Sequence, residues 1–182
     1  MSKKIAVLVG SLRANSFSGR LADVLKSLGI EFGLQLELAE IADLPFYNQD
    51  LDRAESLPPA WQRLRQQLAG CDAVLLVTPE YNRSVPAALK NALDVGSRPV
   101  SQNVWDGKPV GIISLSIGAI GGFGANHHLR QSLACLNAAV MAQPEAYFGN
   151  VGSRLDKEGG VSDEKSLKTL QGFLAQFAKF VG

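Results

Sequence analysis

The sequence predicts an α/β fold, a three-layer sandwich around a five-stranded parallel sheet of order 2-1-3-4-5. Strand and helix signals alternate about five times along the chain, as helices covering both faces of a parallel sheet require. The first, third and fourth strand segments are continuous apolar runs, the mark of strands buried on both faces. The second alternates apolar and polar residues and suits an edge. That order places the second and fifth strands outside, and its ligands bind beyond the carboxyl ends of the strands, near the switch point. The arrangement is flavodoxin-like.

The elements follow in order. "KIAVLVG" (Lys4–Gly10) is the first strand, and Phe17, Leu21, Leu25 and Leu28 mark one face of the helix after it. "LQLELAEI" (Leu34–Ile41) is the alternating second strand. Trp61, Leu64 and Leu68 mark a helix entered through Pro58–Pro59. "DAVLLVTP" (Asp72–Pro79) is the third strand, with its helix from Pro86 to about Ser97. "PVGIISLS" (Pro109–Ser116) is the fourth, followed by a glycine-rich loop and a helix towards Leu136. "AAVMAQ" (Ala138–Gln143) is a weaker fifth strand. Ser162 is placed to cap a last helix that carries Leu167, Leu170, Leu174, Phe177 and Val181 inward.

With 182 residues and 46% hydrophobic composition the chain reads as one domain, residues 1–182, with ample material for a core. A formal charge of +1 gives no reason to expect nucleic acid as a partner. No apolar run approaches membrane-span length, and "MSKKIAVLVGS" passes into a strand without a cleavage site, so a soluble, cytoplasmic protein is expected. Cys71 and Cys135 form no CxxC pattern, which argues against a disulfide framework or zinc site.

The loops after the first, third and fourth strands are the least ordinary in the chain. In "GSLRANS" and the turn after it, Ser11, Arg13, Ser16 and Ser18 offer donors just ahead of a helix N-terminus, where backbone N–H groups favour an anion. Neither the Gly-Lys-Ser/Thr of a P-loop nor GxGxxG is present, so a terminal monophosphate suits it better than a pyrophosphate. The plainer alternative is a capped helix start with an exposed arginine. Pro79, Glu80, Tyr81 and Asn82 can border a flat heteroaromatic ring; alternatively they form a turn in which Tyr81 packs on a neighbour and Glu80 is solvated. The loop 116–124 contains four glycines, which permit close backbone approach to a ligand or simply make a flexible connection.

Other chemistries lack their parts. His127 and His128 are adjacent and diverge by roughly 100° on a helix, too far to share a metal easily. GxSxG is absent, and "VGSLRAN" lacks the acidic residues of a phospho-receiver. No catalytic side chain or metal is expected, which fits a bound redox cofactor that carries the reaction itself.

"GSLRANSFSGRLA", "ADLPFYNQD", "TPEYNRSVPAALKNALD" and "SIGAIGG…HHLRQ" together resemble the NADPH-dependent FMN reductase family, in particular its bacterial quinone and chromate reductase branch. The resemblance runs from Ile5 to about Glu145. It implies a flavodoxin-like fold, non-covalent FMN, and a homodimer or homotetramer. It also implies transfer of two electrons from NADPH or NADH to quinones, chromate, azo dyes or ferric chelates. By resemblance, Ser11, Arg13, Ser16 and Ser18 hold the phosphate and Pro79, Glu80, Tyr81 and Asn82 run along the isoalloxazine. Ser116 and Gly118 would close over its other side. One departure is Val95, where many relatives have Trp after the aspartate; it bears on packing near a subunit contact. Arg83 adds a charge available to an anionic acceptor or the nicotinamide phosphate, or is solvated.

The expected reaction is ping-pong, nicotinamide and acceptor using one ring face in turn. The alternatives are a flavodoxin-type electron-transfer module without a nicotinamide site, against which +1 argues, and a phosphate-ester-binding protein without flavin. "PAALKNALDVGS" places Ala87, Ala88, Leu89, Ala92, Leu93 and Val95 around more than one helix face, which predicts a subunit contact there.

Overall fold

The computed structural model describes residues 2–53, 55–156 and 160–182. Its sheet runs β2 (Leu34–Leu38), β1 (Lys3–Val9), β3 (Ala73–Pro79), β4 (Pro109–Leu115), β5 (Ala139–Val140), every pairing parallel. A sixth short strand, β6 (Ala146–Phe148), also pairs with β4. The order 2-1-3-4-5 is the predicted one.

Side chains on the central strands alternate between two cores. Ile5 and Val7 of β1, Leu75 and Val77 of β3 and Ile113 of β4 pack under α1 (Phe17–Gly29) and α6 (Glu164–Val181). Ala6 and Leu8, Val74 and Leu76, and Ile112 pack under α2 (Pro59–Ala69), α3 (Ala87–Gly96) and α4 (Phe123–Cys135). A strand covered on both faces favours apolar residues throughout, hence the long apolar runs, and the buried hydroxyls of Thr78 and Ser114 near the strand ends are hydrogen-bonded. Gly111 belongs to the α6 side. A Cβ there would lie 3.0 Å from the Phe177 ring, so glycine makes room for that aromatic.

Three boundaries differ from the sequence reading. β2 pairs only to Leu38; Ala39 N–H still donates to Val7 O at 2.9 Å, and Ile41 turns into the core beyond it. The fifth strand is split. Val140 faces Val110 and Ala146 faces Ile113, so the residues between leave the ladder, around a Pro144 that has no N–H to donate. A short helix, α5 (Val151–Arg154), then precedes α6. The N-cap of α6 is Asp163, not Ser162. Its carboxylate accepts from Ser166 N at 2.8 Å and from Ser166 Oγ at 2.7 Å, one bond at each oxygen, and its charge strengthens both. Those bonds hold the Asp163 carboxyl below its usual range. Along α6, Leu170, Leu174 and Phe177 are buried as predicted, Phe173 joins them, and Leu167 and Val181 are half-buried.

The breadth of apolar surface on α3 has an internal cause. Leu89, Ala92, Leu93 and Val95 are all buried within the chain, against α2, the sheet and Trp105. Trp105 Nε1 donates to Leu93 O at 3.0 Å, and a Cβ on Gly96 would meet that nitrogen at 2.6 Å. The extra apolar faces are therefore no sign of a subunit contact.

The segment between β2 and α2 is clamped to the same layer. Asn91 Oδ1 accepts from Tyr47 N at 2.8 Å, and Asn91 Nδ2 and Trp61 Nε1 both donate to Pro45 O. Arg65 grips Asp52 with two nitrogens at 2.8 and 3.1 Å and also donates to Val95 O; the pair is 12% and 9% exposed. Removing one partner of such a pair leaves a desolvated charge. We expect Asp52→Ala to lower the unfolding free energy by about 3 kcal/mol in urea titration at neutral pH; a loss under about 1 kcal/mol, the worth of an exposed pair, would refute this account.

Candidate functional site

β1, β3 and β4 release their loops on one edge of the sheet, and the loops enclose a cleft of about 180 Å³. Ser11, Arg13, Ser16, Ser18, Pro79, Glu80, Tyr81 and Ser116 line it. Asn82 and Gly118 do not, although each follows a lining residue, Tyr81 or Ile117. Phe17, Leu115 and Val151 also line the cleft and were not anticipated. Val151 arrives from beyond β6, a long-range placement with no local signal.

The first loop leaves β1 pressed against β3. Gly10 N–H donates to Val77 O at 2.9 Å, and a Cβ at Gly10 would lie 2.6 Å from Thr78 Oγ1. Ser16 caps α1, its Oγ accepting from Gly19 N at 3.1 Å. The N–H groups of Phe17 and Ser18 find no acceptor among the described residues. An α-helix leaves these first donors free, and its dipole favours negative charge beside them. Arg13 is exposed and makes no ion pair among the described residues; Ser11 Oγ lies 3.2 Å from the Tyr81 hydroxyl.

The second loop is a two-residue hairpin. Tyr81 and Ser84 exchange both backbone bonds, at 3.0 and 2.9 Å, with Asn82 at φ +50° and Arg83 at φ +65°. Such a turn favours Asn-Gly, so arginine at the second position costs backbone energy and needs support. Glu80 provides it. One carboxylate oxygen accepts from Arg83 NH1 at 2.9 Å, and the other accepts from Ala125 N in the first turn of α4 at 3.2 Å. Glu80 is only 10% exposed, so it is neither solvated nor free to act as a base. Gly124 permits this contact, since a Cβ there would lie 2.9 Å from both Arg83 O and Glu80 Oε2.

In the third loop Ser116 Oγ donates to Gly118 O at 2.7 Å and accepts from Gly121 N at 3.0 Å. Gly121 and Gly122 have φ of +67° and +76°, and a Cβ on Gly121 would lie 2.6 Å from the Tyr147 backbone. These glycines seat the loop on β6 and β4, whereas the space beside Gly118 is open. Tyr81, Ile117, Ile120 and Phe123 remain exposed in this region.

The two histidines take separate partners. His127 Nε2 lies 2.9 Å from the Tyr147 hydroxyl and its ring packs on Phe123, whereas His128 Nδ1 lies 2.9 Å from Ser84 Oγ. Burial, with the Glu145 carboxylate nearby, pushes the Tyr147 phenol up to about 12, so it stays protonated at neutral pH. Among the described residues no group of three His, Cys, Asp or Glu side chains is placed to hold a metal. The arrangement suits a phosphorylated planar ligand, with its anion at α1 and its flat body between the second and third loops.

Comparison with known proteins agrees. The NADPH-dependent FMN reductase family matches residues 3–152. A quinone reductase of Pseudomonas putida is 51% identical over 177 residues, covering 97% of this chain and 94% of that protein. A 2-hydroxy-1,4-benzoquinone reductase of a Burkholderia species is 46% identical over 181 residues, covering 100% and 97%. Among solved structures, FerB of Paracoccus denitrificans, a flavoenzyme NAD(P)H:(acceptor) oxidoreductase, superposes with a TM-score of 0.92 at 41% identity, covering 98% of this chain and 97% of that one.

Proposed function

The chain belongs to the NADPH-dependent FMN reductase family, and from that premise we propose that it is a quinone reductase working by a ping-pong mechanism. The observation that carries the proposal is the cleft formed by the three loops, which joins the N-terminal end of α1 to the space between the second and third loops. When bound, FMN supplies the two-electron chemistry between a reduced nicotinamide and the acceptor. The chain supplies affinity and orientation.

Ser11, Ser16 and Ser18 and the free N–H groups of Phe17 and Ser18 receive the phosphate, and Arg13 adds charge-assisted bonds to it. Pro79, Glu80, Tyr81 and Asn82 run along one side of the ring system. Ser116 and Gly118 stand on the other, with the open space beside Gly118 left for the ligand. Losing the Arg13 bonds should weaken FMN about ten- to hundredfold in titrations of Arg13→Ala, with riboflavin little affected. Equal affinity of the wild type for FMN and riboflavin would remove the phosphate cradle from the account.

Quinones are the proposed acceptors, in line with the names of the two relatives, with chromate, azo dyes and ferric chelates slower and incidental. Glu80 is committed to Ala125 and Arg83, so no side chain in the cleft dictates an acceptor's shape by general acid catalysis. The exposed Tyr81 and Ile117 offer an apolar approach for planar molecules. Because nicotinamide and quinone use the same side of the cleft, one must leave before the other enters. Steady-state kinetics with NAD(P)H and a benzoquinone should give parallel double-reciprocal lines. Intersecting lines would overturn the shared-site mechanism, and a flavin that neither nicotinamide reduces would make the protein an electron-transfer module.

The chain acts as one unit of residues 1–182, in the cytoplasm, as a homodimer or homotetramer. No helix among the described residues is long and apolar enough to cross a membrane, and Cys71 and Cys135 are free thiols. The assembly surface lies at a groove of about 510 Å³ between α3 and α4, where the half-buried Val85 and Leu136 sit beside Lys90, Asp94 and the exposed Cys135. Light scattering should find a dimer or larger, and Cys135→Arg at the groove should shift it towards monomer. A wild type that is monomeric at micromolar concentration and fully active would refute this assembly.

A further inference from the structure

A second and larger cleft, of about 410 Å³, lies on the other side of the first loop, between α1 and the chain leaving β2. Ser11, Arg13 and Ser16 line both clefts, so the first loop is their common wall. We propose that this second cleft receives the adenosine half of the reduced nicotinamide dinucleotide. The inference rests on the NAD(P)H-dependent reading above and assigns the part of the co-substrate that does not react.

Three features converge. Its volume falls in the range of small-ligand pockets, and it lies outside the cleft assigned to FMN. Leu12 and Leu38 line it and are each 53% exposed, two large apolar side chains left uncovered on opposite elements. A purine ring inserted between them covers both. Glu40, in the chain leaving β2, also lines the cleft. One of its carboxylate oxygens accepts from Ala42 N at 2.8 Å, and the other has no donor among the described residues. A carboxylate after the second strand is the group that dinucleotide-binding α/β folds use to accept a ribose 2′-hydroxyl.

The distances and charges permit one ligand to reach both sites. From β4 to β2 the sheet crosses three strand spacings, about 14 Å, within reach of an extended dinucleotide. The ligand's pyrophosphate then crosses the common wall, where the exposed Arg13 carries five N–H donors, more than its bonds to the FMN phosphate use. The carboxylate also sets a preference. Glu40 accepts from a 2′-hydroxyl and repels a 2′-phosphate, and Arg63, which donates to Glu40 O at 3.2 Å, is already paired with Asp43, so NADH is favoured over NADPH.

The test uses the FMN-loaded protein, so that the first cleft is filled, with AMP and 2′,5′-ADP as redox-inert probes in calorimetry. AMP should bind, and more tightly than 2′,5′-ADP. Leu38→Trp, at a half-exposed position, should weaken AMP about tenfold and lower the ratio of flavin reduction rates with NADH and with reduced nicotinamide mononucleotide by a similar factor. Glu40→Gln should narrow the gap between AMP and 2′,5′-ADP. The proposal is overturned if AMP does not bind, or if Leu38→Trp leaves both AMP affinity and the rate ratio as in the wild type. A flavin reduced by neither nicotinamide overturns the oxidoreductase reading itself and this assignment with it, whereas normal reduction without AMP binding overturns the assignment alone.

Discussion

Parallel pairing is the constraint on which the site depends. A strand in a parallel sheet cannot return to its neighbour by a tight turn; the chain must cross back over a face of the sheet, here mostly through helices. Every strand therefore ends at the same edge. β3 sits between β1 and β4, with Val77 facing Val9 on one side and Ile113 on the other. Three exits thus fall within two strand spacings, roughly 10 Å. Loops far apart in sequence, at residues 10–16, 80–86 and 116–122, become walls of one cleft. Their closeness follows from hydrogen-bond register, before any loop residue is considered.

Register brings the loops together, but their own contacts hold them in shape. The second loop places Arg83 in a left-handed conformation that few side chains adopt, and Glu80 offsets the cost by binding Arg83 and the first turn of α4 together. The third loop is tied by Ser116 Oγ, which joins Gly118 to Gly121, and is pinned from outside by Asn150 N–H donating to Gly118 O at 2.9 Å. A ligand entering such a cleft meets groups already oriented, so little side-chain entropy remains to be lost on binding. The same ties keep the Glu80 carboxylate and the Ser116 hydroxyl occupied within the chain.

How much of this was legible in the sequence divides along physical lines. β1, β3 and β4 were legible because burial on both faces strongly favours apolar residues, and a run of them is a local signal. The first loop was legible because serine caps and missing acids report directly on a helix N-terminus. The split fifth strand was not, since Val140 and Ala146 find β4 only through the tertiary fold. The breadth of α3 was misleading for a related reason. Trp105, twelve residues beyond Leu93 and outside the helix, fills space that a helix lying only on the sheet would leave empty. The glycines of the third loop were read for their freedom, but the space each one needs is decided by residues such as Tyr147. Glu80 was legible as a cleft residue but its bonding was not, because nothing near it in sequence indicates that Ala125 shares its carboxylate with Arg83.

The arrangement of arginines shows what the fold keeps in reserve. Arg63 is spent on Asp43, whose carboxyl its bond holds below the usual range. Arg65 is spent on Asp52, Arg83 on Glu80, and Arg130 on Asn126, Met141 and Glu145. Arg20 donates to Asp156 O and lies over the Phe17 ring. Arg13 has no such commitment among the described residues, although it stands at the opening of a helix whose first N–H groups are also free. An anion arriving there need not displace a carboxylate, so its binding keeps the full charge-assisted gain. The serines that share this wall are neutral and can donate or accept, and so tolerate either occupancy. In a chain with a formal charge of only +1, an uncommitted cation and helix N–H groups unpaired among the described residues thus stand together where the sheet delivers its loops.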